Sequence, residues 1–221
     1  MREIADGELA LRAASVIKDY DGILPYCEAF YVESILYSAG RALEAFERFE
    51  KILHTGDPDP AYLISLVQEA VGHTAALSRF FWPSGLSCKG PKEIRQLRET
   101  RGKRLRESFG LGDESPLRGR SLRDAWEHFD ERLDAYLLAK DSGFFFPSPM
   151  IGSHILADDP QANVFKLLDS ETGCLVLMGK KYFYNTIKNE VLRIFQKAKL
   201  ADQNGGRLKQ SGDISIREHH T

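Results

Sequence analysis

Ser121-Leu122-Arg123-Asp124-Ala125-Trp126-Glu127-His128-Phe129-Asp130-Glu131-Arg132-Leu133-Asp134 is the stretch on which the reading of this chain turns. Leu122, Trp126, Phe129, Leu133, Tyr136 and Leu137 recur three or four residues apart, which puts them on one helix face and predicts a helix over about 122–140. Ser121 followed three residues later by Asp124 has the form of a capping box, with Asp where Glu or Gln is usual. Two residues are not explained by helix formation. Arg123 falls in the first turn, where the helix dipole mildly disfavours a cation. His128 follows five residues on, and at 3.6 residues per turn the two side chains leave an ideal helix about 140° apart. A surface charge ladder explains the stretch poorly, because Glu127–Glu131 and Asp130–Asp134 set like charges four apart. A site that uses both residues needs Arg123 to curl back, an irregular first turn, or a second copy of the helix.

Working outward, Val32, Ile35, Ala39, Ala42, Leu43, Phe46, Phe49 and Leu53 give the clearest helical period, over 28–53. The Gly56-Asp57-Pro58-Asp59-Pro60 run then breaks the chain. A second helix is expected over about 60–81, with Leu63, Leu66, Val67, Ala70, Thr74, Leu77 and Phe81 inward. Pro91 suits the first turn of a third, reaching about Phe109. Four amphipathic helices joined by turn-rich loops imply a mainly α fold, a four-helix bundle over 1–140, with a short extra helix before Pro25. Beyond 141 the pattern changes. Gly143–Pro147 reads as a loop whose aromatics dock on the bundle. Asn163–Leu168 and Cys174–Met178, across Asp169–Gly173, read as a β-hairpin. A helix over about 181–199 completes an appendage spanning 141–200, and the polar, Gly-rich 201–221 reads as a disordered tail.

The chain has 221 residues, 43% hydrophobic and 28% charged, enough to bury a full core. Its net charge of −2 gives no global attraction to nucleic acid or anionic membrane, so any such binding must be local. Cys27, Cys88 and Cys174 are isolated and odd in number, which argues against a disulfide framework or a zinc cluster and fits a reducing cytoplasm. No segment reaches the roughly 18–20 apolar residues of a membrane span, and Met1–Asp6 lacks a signal-peptide core. The expected location is cytoplasmic, away from membranes. No histidine follows a glutamate by three residues, which removes the di-iron bundle class. Walker-type phosphate loops, His-Glu-x-x-His and Gly-x-Ser-x-Gly are likewise absent, so no metal or cofactor is called for.

Arg123-Asp124-Ala125-Trp126-Glu127-His128 resembles the signature of the HEPN superfamily: an arginine, a polar residue, three variable residues and a histidine. The wider stretch to Asp134 is also similar to uncharacterised bacterial bundle proteins carrying Glu-His-Phe-Asp-Glu-Arg-Leu-Asp. The resemblance covers roughly 28–140. It implies a compact four-helix bundle, usually dimeric, with the signature near its end. Many members are metal-independent endoribonucleases of defence or RNA-processing systems; others are binding modules without activity. Carried onto this chain, Arg123 and His128 would be the catalytic pair, with Asp124 orienting them. RNA supplies its own 2′-hydroxyl nucleophile, so the protein need only move protons and hold negative charge. An imidazole suits the first task and a guanidinium the second. The basic third helix, with Arg101, Lys103 and Arg104, and the loop residues Arg118 and Arg120 are the candidate track for an RNA backbone. A solvated helix face offset by Glu93, Glu99, Glu107, Asp113 and Glu114 is the plainer reading of that strip. The expectation is thus an RNA-cleaving homodimer, against a helical module that binds a protein or nucleotide without catalysis.

Overall fold

The computed structural model describes residues 4–56, 58–83 and 91–208. The helical segments expected before residue 110 form close to their expected bounds. α1 spans Asp6–Tyr20, α2 Glu28–Leu53, α3 Pro60–Phe81 and α4 Lys92–Phe109. Two short helices follow, α5 over Ser121–Glu127 and α6 over Phe129–Leu138, and α7 runs Asn185–Gln203. Gly110 stops α4. It takes the left-handed conformation (φ 60°), and the Gly110 and Leu111 N–H groups close back on the Glu107 and Arg106 carbonyls.

The strands are β1 (Phe144–Phe146), β2 (Met150–Ile151), β3 (Ala162–Val164), β4 (Lys166–Asp169), β5 (Cys174–Leu177) and β6 (Lys180–Phe183). β1 pairs in parallel with β3, and a second, mixed sheet has the order β2-β4-β5-β6. The chain is therefore mainly helical with a small mixed sheet region. The expected hairpin is β4–β5, in register Asp169 to Cys174. Asp169 Oδ1 accepts the Thr172 N–H across its turn, and Gly173 (φ 65°) sits where a Cβ would strike the Asn185 side chain. A second hairpin was not foreseen. Met178 and Gly179 both have positive φ, the two-residue geometry that matches strand twist, and β6 therefore takes residues assigned to the start of the last helix. That helix begins at Asn185, after Tyr184 is buried.

The chain divides into two compact units, each built from separated segments: 1–38, 76–118 and 193–221 in the first, 39–75 and 119–192 in the second. The second unit thus draws on both sides of position 140. In the first unit Val32, Ile35, Leu77, Phe81, Leu105, Phe109, Ile194 and Ala198 are buried, and α1 packs on α4. The tail expectation falls mostly on 209–221, which lie outside the described residues. Residues 204–208 are placed: Leu208 is buried and its N–H donates to Glu28 Oε2 at 3.1 Å.

The core of the second unit joins Phe46 and Phe49 of α2, Leu63, Leu66, Val67 and Ala70 of α3, Leu122 and Ala125 of α5, and Leu168, Leu175, Leu177, Tyr182 and Tyr184 of the sheet region. A smaller cluster packs Val164, Leu167, Cys174 and Val176 with Phe146 and Leu156. The expectation that all aromatics of 143–147 dock needs correction. Phe144 and Phe145 are exposed, because β1 is held through its backbone to β3 and only Phe146 turns inward.

Candidate functional site

The helix expected over 122–140 is interrupted at the motif histidine. His128 separates α5 from α6 with φ −116° and ψ 40°, outside the helical region. The hydrogen-bond ladder still crosses the break, from His128 N–H to Asp124 O (3.2 Å) and from Arg132 N–H to His128 O (3.1 Å). The irregularity is thus a kink at one residue. The capping box does not form: Arg120 occupies the cap position with no side-chain capping bond, and Asp124 turns to Arg123. A cation one residue away competes successfully with the N-terminal N–H groups for that carboxylate.

Arg123 is largely covered. Its Nη2 and Nε donate to Asp124 Oδ1 at 2.8 and 3.1 Å, and Nε lies 3.5 Å from Glu127 Oε2. His128 is more than half exposed, with Nδ1 3.6 Å from Glu131 Oε2. The two motif residues therefore engage different carboxylates on either side of the kink.

Lys166, which sequence reasoning missed, joins the same place in the fold. Its ammonium lies 5.5 Å from the ring centre of Trp126, 4.7 Å from Phe129 and 5.0 Å from Phe165. Trp126 and Phe129, the residues that bracket His128, stack at 5.8 Å, and Phe165 meets Phe129 edge-on at 5.5 Å. Three ring faces attract the cation, while burial pushes the Lys166 pKa down. Little in the local sequence marks Lys166, because two of its three rings, Trp126 and Phe129, come from α5 and α6, far earlier in the chain.

The basic strip is distributed differently from its sequence. Arg104 donates to the carbonyls of Tyr20 (2.6 Å) and Ile23 (2.9 Å) and pairs with buried Glu28. Arg106 caps the Phe81 carbonyl, and Arg101 lies over the Tyr31 ring at 5.5 Å. Arg118 pairs with Asp113 at 3.0 Å. Lys103 stands mostly in solvent, 3.8 Å from Glu107. The planar guanidinium satisfies carbonyls at and just past helix ends, where the helix ladder runs out, which is the work Arg104 and Arg106 do here. Arg101, Lys103, Arg104 and Arg118 belong to the first unit, and Arg120, Arg123 and His128 to the second.

A second polar cluster, also missed, lies in the second unit. The His154 Nδ1 and Asp169 Oδ2 are 2.6 Å apart, and the same oxygen accepts the His154 backbone N–H at 2.9 Å. Thr172 adds its N–H to Oδ1. Burial opposes the charged carboxylate most strongly, but the bonds from His154 and Thr172 together outweigh it and hold Asp169 well below the usual carboxylate range. An ionised Asp169 requires the hydrogen on Nδ1 of His154. The cluster ties the short 3-10 turn over His154–Asp158 to the β4–β5 hairpin. No helix among the described residues is long and apolar enough to cross a membrane. Comparisons of the chain with protein-family models, with curated proteins and with solved structures return no match.

Proposed function

We propose that the chain is a HEPN-like, metal-independent endoribonuclease that works as a homodimer, with its centre at the α5–α6 kink. The observation that carries the reading is His128. It alone leaves the helix between Ser121 and Leu138, its imidazole is 56% exposed, and it occupies the histidine position of the motif. An imidazole so presented can take the proton from a 2′-hydroxyl or return one to the leaving 5′-oxygen. The 2′-oxygen attacks the adjacent phosphorus, the bond to the 5′-oxygen breaks, and a 2′,3′-cyclic phosphate remains. Atoms and charge balance with no redox step. Arg123 supplies the phosphate clamp. To do so it exchanges Asp124 and Glu127 for a phosphate, and both carboxylates are partly exposed, so the exchange costs on the order of 1 kcal/mol or less. The second copy sets one chain's histidine beside the other's arginine, and Lys166 adds a cation against the rings flanking His128.

A second reading rests on a specific observation. Arg123 already faces two carboxylates on its own helix, as an arginine does in a binding module without catalysis. Incubating the protein with mixed RNA in EDTA, beside Arg123→Ala and His128→Ala, separates the two. Cleavage lost in both folded variants supports the enzyme; cleavage undiminished by His128→Ala rules out this mechanism.

A further inference from the structure

Arg132, Lys140, Lys166 and Lys180, all in the second unit, have no carboxylate within ion-pair distance among the described residues. Each is held by a ring or a tyrosine hydroxyl instead. Lys166 lies against Trp126, Phe129 and Phe165, Lys140 is 5.8 Å from the ring centre of Tyr136, and Lys180 is 5.6 Å from that of Tyr182. Arg132 Nη1 donates to the Tyr182 hydroxyl at 3.4 Å. Other cations of the chain are neutralised: Arg104 by Glu28, Arg118 by Asp113, and Lys181, next to Lys180 on the other side of β6, by Asp158.

The fold gathers these four charges. Lys166 of β4 and Lys180 of β6 both stand opposite Leu177 of β5, so they share one sheet face about 10 Å apart at Cα, at the ends of their strands. α6 meets that end: Arg132 reaches Tyr182, and Tyr136 lies 3.7 Å from the point a Cβ on Gly179 would occupy. Arg132, Tyr136 and Lys140 are four apart and follow one side of the helix. The acids Asp130, Glu131 and Asp134 leave an ideal helix about 120–160° from Tyr136, on its far side. Lys180 is exposed, Arg132 and Lys140 are half-buried, and Lys166 is half-buried with its ammonium open to solvent. The row begins at the motif, since Trp126 and Phe129 bracket His128 and the Arg132 N–H donates to the His128 carbonyl.

We infer that Arg132, Lys140, Lys166 and Lys180 form the surface that holds the phosphate backbone of an RNA strand and leads it to His128. The choice of RNA among polyanions rests on the ribonuclease reading; the choice of surface rests on the four charges. A cation held over a ring keeps its full charge, so a phosphate arriving there breaks no ion pair, whereas at Arg104 or Arg118 it must displace a carboxylate. Several such charges in a row suit a chain that carries one negative charge per link.

The test follows the anisotropy of a short fluorescein-labelled single-stranded RNA of mixed sequence with the full-length His128→Ala protein, which separates binding from cleavage. In that background Lys180→Gln weakens binding by about threefold or more at about 50 mM salt. It also lowers the slope of log affinity against log salt by about 0.7, the worth of one phosphate contact to a single strand. Lys166→Gln does the same, and the two together lower the slope by about 1.4. Lys181→Gln removes the same charge from the opposite side of β6 and changes affinity by less than about twofold. Should Lys166→Gln fail to fold by circular dichroism, the Lys180 and Lys181 arms decide. No saturable RNA binding at low salt, or equal losses in Lys180→Gln and Lys181→Gln, overturns the proposal. So does binding of phosphatidylserine vesicles, but not of RNA, that Lys180→Gln abolishes, which assigns the face to a membrane surface. Cleavage that ignores His128 while these binding effects hold tells against the ribonuclease reading alone. Cleavage that needs His128 without these binding effects tells against this surface alone.

Discussion

The guanidinium of Arg123 donates to the carboxylate of its chain neighbour Asp124 at 2.8 Å, so the motif's cation and its supporting acid form one ion pair. A phosphate that binds Arg123 must compete with Asp124. Replacing Asp124 with Asn keeps the shape and removes the competing charge. In a His128→Ala background, Asp124→Asn is expected to tighten binding of a labelled RNA by about two- to fivefold at low salt, the worth of one partly exposed pair. Fluorescence anisotropy checks it; weakened binding would show that Asp124 assists the RNA contact.

Arg104 stood in the sequence as a nucleic-acid contact, and its geometry makes it a brace. It joins the carbonyls of Tyr20 and Ile23 and a buried carboxylate, so Arg104→Ala leaves Glu28 with one strong partner fewer. The variant is expected to lose about 3 kcal/mol of stability by urea unfolding. Lys103→Ala, one residue away and mostly exposed, should stay within about 0.5 kcal/mol of the parent.

The Asp169 carboxyl is held well below the usual carboxylate range in the folded protein, whereas an unfolded Asp titrates near pH 3.9. Its contribution to stability is therefore complete above about pH 4 and is lost as the pH falls from there toward the lower folded value. Asp169→Asn is expected to be less stable than the parent at pH 7 and to show a shallower decline between about pH 4 and pH 2. Thermal unfolding followed across that range reads both effects. Parallel curves for the two proteins would place the acid sensitivity elsewhere.

Cys174 is fully buried and burial pushes its thiol pKa up, so its thiolate is scarce as well as inaccessible. Peptide mapping after a brief alkylation of native protein is expected to find Cys174 unmodified and Cys27, which is partly exposed, labelled. Labelling of Cys174 should appear only with denaturant. Equal labelling of the two in native protein would mean that β5 opens readily.

Much of the helical part of the fold is legible in the sequence because its causes are local. The apolar period of 28–53, the prolines at 58 and 60 and the glycine at 110 act within a turn or two of where they stand, and α2, α3 and α4 begin and end beside them. The β4–β5 hairpin is legible for the same reason, through the Asp169–Gly173 turn. The kink at His128 is not. Trp126 and Phe129 are spaced as a continuous helix would space them, and the rings and cation that meet them come from Phe165 and Lys166. Likewise Lys180–Phe183 is announced locally only by Gly179 in the turn before it; that turn and the pairing with β5 together decide it. The motif's residues were legible, and their partners across the fold were not.

The central claim is that His128 moves the proton at an RNA-cleaving centre. The direct measurement is the rate at which purified protein cleaves mixed RNA in EDTA, compared between the parent and a folded His128→Ala variant. The account predicts cleavage by the parent that leaves 2′,3′-cyclic phosphate ends and falls by at least about a hundredfold in the variant, the low end of what a proton-transfer residue contributes. Cleavage at the parental rate by His128→Ala would contradict it.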